Sequence, residues 1–192
     1  MGPPELEGLR VLVHPEPPHP PDVIEELYLV AALRDLDVTV SLKAPGRYRA
    51  YKYLGLYSAP RAGRRGYVWL NATMSPQREL EVFVHELAHD AYRRLGPIGQ
   101  RLKTSRHLTW ARADVINELT TDLASEIVVK ALGVAKPLIK RRTRFQRWGL
   151  ADRELVKARI EDDAARVAQA LLDDVELVRA EMADDGVVVD FA

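Results

Sequence analysis

Apolar and polar residues alternate along this 192-residue chain in two rhythms, and the changes of rhythm locate its elements. Apolar steps of three and four keep side chains on one face of a helix, whereas steps of two keep them on one face of a strand. Ile24, Leu27, Leu29, Val30 and Leu33 recur at helical steps and predict a helix from Val23 to Leu36, capped by Asp22. Asp37 to Leu42 alternates strictly and predicts a strand. Leu9 to His14 alternates more briefly, and the proline-rich Pro15–Pro21 cannot continue it as helix or central strand. Tyr51–Tyr57 and Gly66–Asn71 flank the basic turn Pro60–Arg65 and together read as a hairpin.

The second half of the chain is helical in rhythm. Ser75 and Pro76 supply an N-cap and a first helical residue, no proline or glycine interrupts Gln77–Leu95, and Gly96-Pro97 closes the segment. Leu80, Val84, Leu87, Ala91 and Leu95 mark its buried side. A helix from about Arg112 to Leu132 is stopped by Gly133, and a long one from about Asp152 to Met182 carries Val156, Ile160, Ala164, Val167, Leu171, Val175 and Val178 at helical steps. Gly186–Phe191 has the composition of a last strand. The expected architecture is α+β: a small twisted, mostly antiparallel sheet packed on the 76–95 helix, followed by a helical C-terminal part. The length suits one domain, with a core over 1–150 and the long helix and tail of 151–192 packed on it.

Composition narrows the chemistry. At 47% hydrophobic residues the chain can bury a core, and without a single cysteine it has no disulfide framework, thiolate nucleophile or cysteine-based metal site. Any metal must be held by histidine and carboxylate. No apolar run reaches the length of a membrane span, and Met1–Leu6 lacks the basic and apolar regions of a signal peptide, so a cytoplasmic protein without a membrane partner is expected. Charge is zero in total but uneven, at −7 over residues 151–192 and +7 over 1–150. Lys136–Arg147 alone holds six bases in twelve residues, with Phe145 and Trp148 beside them for stacking on bases, which makes nucleic acid a possible partner of that segment.

The 76–95 helix also carries His85-Glu86-Leu87-Ala88-His89. Two imidazoles four residues apart project from one face of a helix and make two ligands of a zinc site. Glu86, one step round, can reach a water on the same metal. A third ligand is required, and on the 112–132 helix Glu118 and Asp122 lie four apart, with Glu118 the better candidate and Asp114 and Glu126 competing from neighbouring turns. For a donor to a developing oxyanion, His107 in the irregular 98–109 loop and Tyr92, one turn past His89, are the candidates.

His-Glu-Leu-Ala-His followed by Asn117-Glu118-Leu-Thr-Thr-Asp122 resembles the paired motifs of the gluzincin, or thermolysin-like, zinc metallopeptidases. In compactness, and in the Val68-Trp69-Leu70-Asn71 strand before the histidine helix, the chain is similar to peptidase domains of the ImmA/IrrE and ArdC types over roughly residues 35–180. The resemblance implies a zincin-like fold, with Glu118 as third zinc ligand and Asp122 orienting His85 through its outer nitrogen. It further implies that Glu86 is the general base and that the 66–71 strand is the edge on which an extended substrate pairs. The expected activity is zinc-dependent hydrolysis of a peptide bond in a specific intracellular protein. The rival expectation is a regulatory or DNA-associated binding protein whose metal site is structural or weakly active.

Overall fold

A computed structural model of the chain describes residues 20–45, 53–95, 110–134 and 150–184. In chain order these form α1 (Pro20–Leu33), β1 (Leu36–Ser41), β2 (Gly55–Ser58), β3 (Gly66–Asn71), α2 (Pro76–Arg94), α3 (Trp110–Ala131) and α4 (Leu150–Asp184). The fold is α+β and mostly helical. The expected strands at 9–14 and 186–191, the loop carrying His107 and the basic segment 136–147 lie outside the described residues.

Local chemistry sets most boundaries. β3 and α2 begin where the periodicity placed them, and Ser75 caps α2 by accepting from the Arg78 N–H at 3.4 Å. Asn71, at the end of β3, accepts from Thr73 through both its backbone N–H (3.1 Å) and its hydroxyl (2.9 Å), and this turns the chain from strand into helix. α1 starts and stops three residues earlier than expected. Asp35 adopts a φ of 57°, which reverses the chain after α1 and delivers Leu36 into β1. Leu29 and Leu33, expected on the buried face, are exposed as a result of where α1 sits, and Leu95 is exposed because it follows the last helical residue.

The sheet has the order β1-β3-β2. β1 runs parallel to β3, pairing Leu36 with Gly66 through Ser41 with Asn71, and β2 runs antiparallel to it, pairing Gly55 with Leu70 through Ser58 with Tyr67. The described sheet is therefore mixed, not mostly antiparallel. The hairpin accounts for the antiparallel pair, and the long β1–β3 connection allows the parallel one. β3 lies in the centre with Val68, Trp69 and Leu70 buried, as a strand covered on both faces must.

One apolar core joins the layers, with Leu27 and Val30 of α1, Phe83 and Leu87 of α2, Val128 of α3 and Leu171 of α4 among its members. Through it runs a buried polar tie. Arg34, at the end of α1, donates to Asp90 of α2 at 3.1 Å and to Asp174 of α4 at 2.6 Å, and its own carbonyl accepts from Arg94. Asp90 is fully buried, so this matched pair fixes three helices against one another. Among the described residues no helix is long and apolar enough to cross a membrane.

A candidate metal centre in the cleft between α2, α3 and β2

α2 buries one side under the sheet and the other helices and presents His85, Glu86 and His89 to a cleft of about 750 Å³. α3 forms the facing wall with Asn117, Glu118 and Asp122, and β2 forms the third with Gly55 and Tyr57. Two histidine nitrogens, the Nε2 atoms of His85 and His89, stand 3.1 Å apart. Glu118 reaches them with one carboxylate oxygen each, at 3.7 Å and 3.6 Å. These donor atoms lie within 4.8 Å of one another. A tetrahedral ion with bonds of about 2.0–2.2 Å needs donors about 3.3–3.6 Å apart. The two Nε2 atoms are close to that spacing and one Glu118 oxygen lies within 4.8 Å of both, so small shifts would let the three side chains hold an ion.

The surroundings bear on how these groups are held. Asp122 brings an oxygen to 3.0 Å from His85 Nδ1, close enough for charge pairing but off the line of a ring N–H. Burial disfavours the His85 cation, yet the carboxylates of Asp122 and Glu118 outweigh it and raise its pKa. His89 moves the opposite way, lowered by burial and then by the charge on His85. Burial pushes the Glu86 carboxyl up to about 7, with His85 and the Tyr57 backbone N–H pulling against it. The cluster thus gathers carboxylates and imidazoles in a confined space, where their charges strongly shift one another's pKa values.

Several contributors carry no motif. Tyr57 stacks on His89, ring centroids 6.2 Å apart and planes 11° from parallel, while its hydroxyl donates to Asp90 at 2.9 Å. The Tyr57 phenol is pushed up to about 12 by burial and by the Asp90 charge. Gly55 abuts the helix so closely that a Cβ there would lie 2.6 Å from both Glu86 Oε1 and Val82 Cγ1. These come from a strand thirty residues upstream of the histidines, where only the glycine in a strand hinted at a close backbone approach.

Of the predicted site residues, the structure brings His85, Glu86, His89, Glu118 and Asp122 into one cleft. Glu126 does not line it, and Asp114 and His107 fall outside the described side chains. Tyr92, the other oxyanion candidate, is buried against the apolar core and does not line the cleft. The expected role of the 66–71 strand as a free edge is not met. β3 is paired on both sides, by β1 and β2, so its backbone is not free, and β2 is the strand that borders the cleft. Compared with protein-family models, curated proteins and solved structures, the chain matches none.

Proposed function

We propose that the chain is a zinc-dependent peptidase that cuts a peptide bond in a specific protein substrate inside the cell, on a zincin-like scaffold of the gluzincin kind. One observation carries this reading: two histidine nitrogens and a carboxylate from two helices converge at ligand spacing, with a buried glutamate beside them in an open cleft. His85, His89 and Glu118 would hold the ion. Zinc bound there supplies a Lewis acid for the scissile carbonyl and lowers the pKa of water towards neutrality. Glu86 takes the proton from the attacking water and delivers it to the amine as the carbon–nitrogen bond breaks. Asp122, 3.0 Å from His85 Nδ1, would pair with that ring's outer nitrogen and help to hold it as a ligand. An extended substrate lies along β2, held by backbone contacts, with side-chain preference coming from the cleft walls.

The purified protein is expected to bind about one zinc per chain, with Glu118→Ala losing it and Asp114→Ala keeping it. Glu86→Gln should retain the ion and lose all cleavage of a proteome-derived peptide library. Failure of the unmodified protein to take up zinc, or undiminished cleavage by Glu86→Gln, would overturn the reading.

A further inference from the structure

β2 leads out of the cleft into a turn whose charges the peptidase chemistry does not use. Arg61 and Arg64 close a two-residue loop, Ala62-Gly63, through paired backbone hydrogen bonds of 3.2 and 2.9 Å. Gly63 has a φ of 72°, the positive value that the third position of a type II turn demands, so the tip has a defined shape. Residues bonded across such a turn send their side chains off the same face, with Cβ atoms about 5 Å apart. Like charges placed opposite each other destabilise a hairpin. Both arginines are exposed, and no carboxylate among the described residues pairs with either.

Their neighbours sharpen the contrast. Arg65 is matched by Asp35 at 2.6 Å and Asp37 at 3.0 Å. Arg93, at the end of α2, is exposed and donates to the Pro60 carbonyl at 3.5 Å, which brings a third guanidinium beneath the turn. β2 advances in the same direction as α2, since Gly55 abuts Val82 and Glu86 while Tyr57 meets His89 and Asp90. The turn therefore lies beyond the C-terminal end of the metal-binding face. Arg61 is four residues past Tyr57, at most about 13 Å along an extended chain. The cleft is lined by Glu86, Glu118 and Asp122, with Arg78 near the start of α2, and the arginines of the turn lie outside that lining, along the continuation of β2.

We infer that Arg61, Arg64 and Arg93 form a docking patch for an acidic stretch of the substrate, about three to five residues from the bond that is cut. This deepens the peptidase reading and rests on it for the word substrate. The patch continues the strand that borders the cleft, so it meets an extended polypeptide already aligned there. A nucleic acid fits less well: the chain as a whole carries no net charge, and the patch continues a strand along which an extended peptide can lie.

Fluorescence anisotropy of the full chain tests the patch without any need for cleavage. Three labelled probes are compared: a peptide rich in Asp and Glu, the same peptide with Asn and Gln, and a short DNA duplex. The acidic peptide should bind best, weaken as salt rises from about 20 to 200 mM, and lose about threefold to tenfold in affinity with Arg61→Gln and Arg64→Gln combined. The urea midpoint of that variant should stay level or rise, since a repulsion is removed. Equal binding of acidic and amide peptides, no change in the variant, or preferred binding of DNA each overturns the inference. Acidic binding with no cleavage under any condition supports the patch and sinks the peptidase, whereas cleavage without preference for acids does the reverse.

Discussion

Gly55 shows how closely the candidate site depends on single atoms. A methyl group there would press on Glu86 at 2.6 Å and on Val82 at 2.6 Å, so either the strand retreats or the carboxylate swings away. A displacement of about 1 Å in a catalytic group costs about a hundredfold in rate. Gly55→Ala is therefore expected to keep its zinc and lose about a hundredfold in turnover, measured on any peptide the unmodified protein cuts. Full turnover in that variant would mean that the close approach of β2 plays no part. At this scale the sequence was partly legible. His85, Glu86 and His89 could be read because four-residue spacing on a helix fixes a shared face. Glu118 and Asp122 emerged by the same rule, and α3 carries both to the cleft while leaving Glu126 off its wall, with the Asp114 side chain outside the described residues. Tyr57 and Gly55 could not be assigned, because their roles arise only when a distant strand is laid beside the helix.

Between elements, the Arg34 tie decides more than the surface ion pairs do. Arg34 is buried with Asp90 at 3.1 Å, whereas Arg65 and Asp35 are largely exposed although only 2.6 Å apart. Distance alone would rank the second pair higher; solvent screening reverses the order. Arg34→Met removes one of the two guanidinium groups on Asp90, leaving Arg94 and the Tyr57 hydroxyl, and should cost about 1.5–3 kcal/mol of stability, as loss of a buried hydrogen bond to a charged group does. Arg65→Met should cost under about 1 kcal/mol. Urea unfolding of the two variants separates these expectations, and equal losses would show that the buried tie does not hold α1, α2 and α4 together. A smaller effect belongs to the helix start: Ser75→Ala should cost about 0.5–1 kcal/mol, near the low end because its hydrogen bond is 3.4 Å long. The boundaries of β3 and α2 were legible because proline, a capping serine and strict alternation coincide there. The end of α1 was not, since nothing in the local period announces the left-handed turn at Asp35.

For the whole molecule, hydrophobic rhythm gave the α+β class but not the order of strands. Period two says that a segment is a strand and is silent on its neighbour, so the parallel β1–β3 pairing and the burial of both β3 edges were invisible. The same long-range assembly would make metal binding at the candidate site a property of the entire fold. Its ligands come from α2 and α3, and both helices contribute to the common core, so an ion held by His85, His89 and Glu118 links separate parts of the chain. A ligand that binds only the folded state stabilises it by about 2.7 kcal/mol when present at a hundred times its dissociation constant. For a domain of this size that raises the thermal midpoint by about 5–10 °C. Zinc should produce this rise in the unmodified protein, and a chelator should reverse it. Magnesium, which prefers oxygen ligands in octahedral arrays, should not. Glu118 is half exposed and away from the core, so Glu118→Ala should melt like the metal-free protein and gain little from zinc. A midpoint that ignores zinc in the unmodified chain would mean that the three side chains, though adjacent, do not act as one site; a rise that survives Glu118→Ala would move the third ligand elsewhere on the cleft wall.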